Sequence, residues 1–267
     1  MSQNSPLINV MVAAAQNAGR KLVRDFGEVE QLQVSRKGPA DFVSTADKKA
    51  ERIVFQELSK ARPNFGFLME ESGETPGSDI SNRWIVDPLD GTTNFLHGIP
   101  HFAISIALER DSEIFAGVIH EPITDQTFWA EKGKGAFLNN RRLRVSARRE
   151  MADSLFATGI PFLGVPNHDL FMKELAAVME VSAGVRRFGA ASLDLAWVAA
   201  GRYDGFWETG LSPWDMAAGI IMVREAGGYV TDSLGKGNML STGGIIAAND
   251  SLHGPLSSLL RKARKSA

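Results

Sequence analysis

Trp84-Ile85-Val86-Asp87-Pro88-Leu89-Asp90-Gly91-Thr92-Thr93-Asn94 is the stretch on which the reading of this chain turns. Its first three residues form an apolar run of the kind that marks a buried strand. Asp87 and Asp90 leave the end of that strand three residues apart, and in open α/β sheets ligands bind beyond strand ends. Pro88 stiffens the turn, and Gly91 permits a backbone shape or a close approach that a side chain would forbid. Two carboxylates this close are costly unless a cation neutralises them, and hard divalent cations take oxygen ligands. After Gly91 the chain opens a helix or turn whose N–H groups can face an anion. Metal on one side and N–H donors on the other make a phosphate cradle. A bare Asp-x-x-Asp-Gly is more often an Asx turn, but the apolar strand before it and Thr92-Thr93-Asn94 behind it favour the cradle.

Upstream, the apolar stretch Phe65 to Met69 ends in Glu70-Glu71-Ser72-Gly73. Adjacent acids at a strand end are often just a solvated edge; beside a metal site, one of them becomes a ligand. Downstream lies Ser212-Pro213-Trp214-Asp215-Met216-Ala217-Ala218-Gly219. Ser212 caps and Pro213 opens a helix, so Asp215 falls in its first turn, where the helix dipole favours negative charge. By itself that is equally an electrostatic helix start with small residues for close packing.

The rest of the chain supplies a scaffold. Ser5-Pro6 starts a helix along Leu7, Met11, Ala14, Ala15, Ala18, Leu22 and Phe26, and a second begins near Ser44 with Asp47 as its capping-box partner. Strands are expected at 65–69, 84–86, 102–108, 114–119, 127–129, 155–157, 205–207, 229–230 and 244–248. Helices are expected at 170–181, 193–200, 214–226 and from 252 onward. This order predicts layered α/β structure with a mixed sheet. The chain reads as one catalytic unit, residues 1–267, with a weak subdomain boundary near 144–153. That boundary divides a metal-binding α+β half (1–145) from an α/β half (146–267).

Composition removes several classes. There is no cysteine among the 267 residues, which excludes disulfides, thiolate metal sites and a cysteine nucleophile. A net charge of −2 is not that of a nucleic-acid funnel or a membrane-seeking surface. No leader pattern and no apolar run of spanning length is seen, so a cytoplasmic protein without membrane contact is expected. His97 and His101 have the spacing of helical zinc ligands, but Gly98 and Pro100 between them oppose a helix. No Gly-x-x-x-x-Gly-Lys-Ser/Thr loop occurs. Asp87 and Asp90 are one residue too far apart for an aspartyl-phosphate phosphatase signature.

Glu70-Glu71-Ser72, Asp87 to Asn94 and Trp214 to Gly219, in this order and at about these separations, resemble the inositol monophosphatase family, including its bacterial SuhB-type members. The resemblance runs from Lys37-Gly38 to Gly227-Gly228 with no departure at a metal position. It implies an αβαβα sandwich with mixed sheets, a homodimer, and two to three Mg2+ ions per site. By position, Glu70, Asp87 and the Leu89 carbonyl would hold the first metal; Asp87, Asp90 and Asp215 would hold the second; Glu70 would help hold a third. Thr92 and Asp47 would orient the attacking water. Asp90, Gly91, Thr92, Gly189, Ala190, Ala191, Glu208 and Asp215 would contact a small phosphorylated polyol or sugar. Where Ala190 stands the family often has serine or threonine, which bears on substrate preference and not on catalysis. Arg36 or Lys37 occupies the basic position near the phosphate entrance.

The implied reaction is hydrolysis of a small phosphate monoester, foremost myo-inositol monophosphate, by in-line attack of a metal-activated water, with sensitivity to lithium. Bisphosphate nucleotidases and fructose 1,6-bisphosphatases share the fold and are the nearest alternatives. The compact chain, without long insertions, favours the monophosphate. An association with RNA polymerase or RNA, as for SuhB-type relatives, is a reading of another class, motivated by the basic run from Arg141 to Arg149.

Overall fold

The computed structural model describes the backbone of residues 5–28, 34–38 and 41–265, and side chains at 5–28 and 45–265. Helix α1 spans Pro6–Phe26, with the Ser5 side chain accepting the Ile8 N–H at 3.2 Å. A hairpin of β1 (Val34–Gly38) and β2 (Asp41–Ser44) leads into α2 (Thr45–Ala61). Then come β3 (Phe65–Met69), β4 (Gly73–Thr75), β5 (Asp79–Asp90) and the short α3 (Thr92–Leu96). A meander follows through β6 (Ala103–Arg110), β7 (Glu113–Glu121), β8 (Gln126–Glu131), β9 (Gly135–Leu138) and β10 (Arg141–Arg142). The second half runs β11 (Leu155–Thr158), α4 (His168–Met179), β12 (Gly184–Arg186), α5 (Ala191–Ala199), β13 (Gly205–Glu208) and α6 (Pro213–Glu225). It closes with β14 (Tyr229–Thr231), α7 (Met239–Thr242), β15 (Ile245–Ala248) and α8 (Asp250–Lys265).

Two large sheets result. One has eight strands in the order β10-β9-β8-β7-β6-β5-β3-β4, antiparallel except between β3 and β5. The other has five, β12-β11-β13-β15-β14, parallel among its first three strands and antiparallel beyond.

The period-two alternation of buried residues sets the layers. Trp84, Val86, Ile104, Ile106 and Val118 face α1 and α2, while Ile85, Ala107 and Ile119 face α5 and α6. In the second sheet Ala157, Phe206 and Ala247 face α5 and α6, and Phe156, Trp207 and Ile246 face α4 and α8. The order is therefore helix, sheet, helix, sheet, helix, as the resemblance implied. The middle helix layer must pack tightly on both sides, which explains the small residues of α6. A Cβ on Gly117 of β7 would lie 2.8 Å from the Ala218 backbone, and one on Gly219 would lie 2.4 Å from Leu195 of α5.

The expected elements recur with shifted ends. The most consequential shift is in β5, which continues through both aspartates; its pairing with β6 is interrupted between Asp87 and Asp90. The two carboxylates thus stand on an irregular strand end, not in a turn after it. Gly227 has φ 89°, the left-handed stop expected after α6. The side chains of Arg36, Lys37 and Ser44 lie outside the described residues. No described helix is long and apolar enough to cross a membrane.

Candidate active site

Parallel pairing of β3 with β5 places their carboxyl ends side by side. Met69 lies opposite Val86, and the Glu70 N–H donates to the Val86 carbonyl at 3.2 Å, so Glu70 and Asp87 emerge together. Glu51, buried one helical turn beyond Asp47 on α2, accepts the Glu71 N–H at 2.8 Å and fixes this corner. The carboxyl ends of β11 and β13 supply Thr158-Gly159 and Glu208 from the other sheet. The amino ends of α5 and α6 point to the same place, and their dipoles favour anions there.

Asp87, Asp90 and Asp215 share this place with Glu70. Burial, first, and then repulsion from Glu70, Asp90 and Asp215 push the Asp87 carboxyl well above its usual range. Burial raises Asp90 to about 6, opposed by its bonds from Ser192. Asp215 is raised well above its usual range by burial and then by Asp90. Each carboxylate also has a local anchor. Asp87 accepts the Leu89 N–H at 2.9 Å, Asp90 accepts the Ser192 N–H at 2.8 Å and the Ser192 hydroxyl, and Asp215 accepts the Ser212 N–H at 2.7 Å. Asp215 is thus both a helix cap and a member of the acidic group.

Among the described residues no three acidic or imidazole side chains already stand in a geometry that could hold an ion. The donor set nevertheless fits a hard divalent cation. It is all oxygen and carries no imidazole or thiolate, and mutual repulsion among these acids, added to their burial, is what a cation would relieve.

Asp47 is fully buried, and the Thr92 hydroxyl lies 3.1 Å from its Oδ1 and 3.0 Å from the Leu89 carbonyl. Gly91 has φ 92° and packs against the His101 backbone, where a Cβ would come within 3.0 Å. Asn94 spends both amide protons on the His101 carbonyl at 2.9 Å and the Phe188 carbonyl at 2.8 Å, pinning the 187–189 loop beside α3. Asp90, Gly91, Thr92, Gly189, Ala190, Ala191, Glu208 and Asp215 all line one cavity of 290 Å³. Burial and then Asp90 push Glu208 up to about 8, against the pull of Arg187. His101 is no zinc ligand here; its ring is buried between Phe188 and Trp197, with centroids 5.2 and 5.4 Å away.

Four contributors were not singled out from the sequence: Ser192, Arg187, Gly159 and Phe162. Ser192 lay just ahead of the expected helix start at Leu193, and the true start at Ala191 gives it its place against Asp90. Arg187 and Phe162 line the cavity from loops without periodic signal. Gly159 is needed because a Cβ there would lie 1.8 Å from the Glu208 carboxylate.

An αβαβα scaffold with acidic side chains at strand and helix ends fits the class of metal-assisted phosphate-ester enzymes. The chain belongs to the inositol monophosphatase family, whose model matches residues 3–266. It is 58% identical over 258 residues to an inositol-1-monophosphatase of Rhizobium meliloti, covering 97% of each chain. It is 42% identical over 244 residues to the Nus factor SuhB of Escherichia coli, covering 91% of each. A crystal structure of the extragenic suppressor protein suhB from Bartonella henselae superimposes with a TM-score of 0.95 at 62% identity, covering 97% of this chain and 99% of that one.

Proposed function

We propose that this chain hydrolyses small phosphate monoesters, with myo-inositol monophosphate as the preferred substrate, in a Mg2+-dependent reaction inhibited by lithium. The observation that carries the proposal is the gathering of Glu70, Asp87, Asp90 and Asp215 beside a cavity lined by Gly189, Ala190, Ala191 and Glu208. Glu70, Asp87, Asp90, Asp215 and the Leu89 carbonyl would hold two to three magnesium ions. Bound there, magnesium supplies positive charge opposite the phosphoryl oxygens and makes a nearby water more acidic.

The chain's own residues do the rest. Thr92 has one hydroxyl proton and two acceptors in reach. If a cation took up the Leu89 carbonyl, Asp47 would remain as the acceptor of that proton. The Thr92 oxygen would then have its lone pairs free to orient an attacking water. Glu208 and the backbone at Gly189 to Ala191 face the alcohol hydroxyls across the cavity. Ala190 offers no side-chain hydroxyl there, so the backbone and Glu208 carry more of the recognition. A homodimer in the cytoplasm is part of the same proposal, supported by family membership alone. Phosphate release from a panel of inositol, sugar and nucleotide phosphates, with and without magnesium, tests it. Much faster turnover of an adenosine bisphosphate or of fructose 1,6-bisphosphate would reject the monophosphate preference, and magnesium-independent release would reject the site.

A second role is favoured by the exposed basic run Arg141, Arg142, Arg144, Arg148 and Arg149, together with the relatives named Nus factor SuhB. An association with RNA polymerase or RNA that survives Asp90→Asn and weakens with salt would establish it. Absence of binding at low salt would dismiss it.

A further inference from the structure

The catalytic cavity does not end at Glu208. A second cavity of 420 Å³ adjoins it, and the two share Gly159, Phe162, Glu208, Leu211 and Asp215 as walls. It reaches from Glu70 and Asp215 to the start of α4, where Leu170 and Phe171 line it. The two cavities differ in their basic residues and in their far walls. Arg187 lines the first, whereas no Lys, Arg or His lines the second among the described residues, and Leu170 and Phe171 line only the second. Toward α4 its walls are Ile160, Phe162, Leu170 and Phe171, with Trp214 also lining it, while Glu70, Thr158, Glu208, Ser212 and Asp215 line it on the side of the acidic centre and Glu174 lies at the far end. Glu174 is buried and already paired with Arg264 of α8. Ile160 and Phe162 are 45% and 47% exposed, so apolar surface stands open at the mouth of an otherwise polar site.

A polyol ring gains little from the Ile160, Phe162, Leu170 and Phe171 side of this cavity, since its hydroxyls seek donors and acceptors. We propose that this second cavity is a subsite for the alcohol portion of the substrate, and that it favours phosphate monoesters whose alcohol carries an uncharged apolar or aryl group over those carrying a second anion. The subsite rests on the phosphatase reading above and extends it. An aryl group reaching past Glu208 leaves water for Phe162, Phe171 and Leu170. A second anion reaching toward α4 would find no Lys, Arg or His among the described residues lining the cavity, and would lose hydration without a cationic partner in exchange.

Four esters separate the possibilities: myo-inositol 1-phosphate, ethyl phosphate, 2-phenylethyl phosphate and 2-(4-carboxyphenyl)ethyl phosphate. The expected kcat/KM ratio of the phenyl to the ethyl ester is roughly tenfold or more, the scale of apolar pocket discrimination. The added carboxylate should remove most of that gain. In Phe171→Ala, and independently in Leu170→Ala, the phenyl-to-ethyl ratio should fall toward one; a ratio is unaffected by any loss of folded protein. A ratio near one in the unaltered chain, a ratio unmoved by both substitutions, or an undiminished gain with the carboxylate overturns the subsite while leaving inositol phosphate hydrolysis intact. A chain that hydrolyses none of the four refutes the phosphatase reading and the subsite with it.

Discussion

Gly159→Ala tests whether the position of Glu208 governs substrate recognition. The new Cβ would lie 1.8 Å from Glu208 Oε1, where ordinary contact begins near 3.4 Å, so the carboxylate must retreat by about 1.6 Å. It is the far end of a flexible side chain, so the retreat costs little stability. It is enough, however, to break any hydrogen bond from a substrate hydroxyl, because such bonds weaken steeply beyond about 3.2 Å. With Glu208 pushed up to about 8 it is mostly neutral near pH 7, and a hydrogen bond to a neutral group contributes about 0.5–1.5 kcal/mol, which corresponds to a loss of roughly 2- to 13-fold in kcat/KM for inositol phosphate. Ethyl phosphate has no hydroxyls for Glu208 to hold, and its turnover should change little. The assay is steady-state phosphate release on both esters, with a thermal melt alongside. Undiminished activity of Gly159→Ala on inositol phosphate, or an equal loss on both esters, would refute the role given to Glu208.

Asp90→Asn and Asp215→Asn should each cut turnover by about a thousandfold or more, since several kcal/mol of charge stabilisation hang on the cation they are proposed to hold; circular dichroism should show the fold retained. Gly117→Ala should destabilise by about 1–3 kcal/mol through overpacking, because its Cβ meets Ala218 backbone at 2.8 Å and backbone cannot step aside; calorimetry should find Tm lower by several degrees with activity per folded molecule preserved. Burial holds His101 down at about 4, beside the Glu121 carboxylate 4.0 Å away, whose own affinity for protons burial raises. The unfolded chain takes up this proton near its ordinary 6.5 and the folded chain does not, so stability is full above that pH and declines as pH falls toward 4. The full difference is roughly 3 kcal/mol, and urea unfolding of the chain against His101→Phe at pH 7 and at pH 4.5 should show the substitution removing part of the decline.

The parts of this protein that could be read from sequence are those whose physics is local. Asp87, Asp90 and Asp215 each sit at the end of an element that announces itself: an apolar run before the first two, and a Ser-Pro start before the third. The long strand β5 was visible only from Trp84, because its first residues are half exposed and carry Ser81, Asn82 and Arg83 in place of an apolar pattern. The β1–β2 hairpin, with Val34-Ser35-Arg36-Lys37-Gly38 as one arm, gives no alternation at all. The start of α5 was misplaced by two residues because Ala191 and Ser192 add no periodic signal. That small error hid the group that tethers Asp90.

What local physics cannot supply is which strand ends meet. The second sheet contributes Gly159 and Glu208 only because α5 and α6 pack between the sheets, and the thinness of that layer depends on Gly117 and Gly219 in separate elements. The same stacking leaves space on the α4 side of β13, where Phe171 lines the second cavity. The acids of the candidate site stand at element ends because burying like charges is tolerable only where backbone N–H groups or a cation can answer them, so local signals find them. The shape of the space around the substrate is a by-product of layer spacing, set by contacts between residues far apart in the chain. A family motif therefore fixes the chemistry of the acidic centre more firmly than it fixes which alcohol the enzyme prefers. In this chain the residues proposed to make that difference are Ala190, Phe162 and the loop after β11, none of which belongs to the acidic centre.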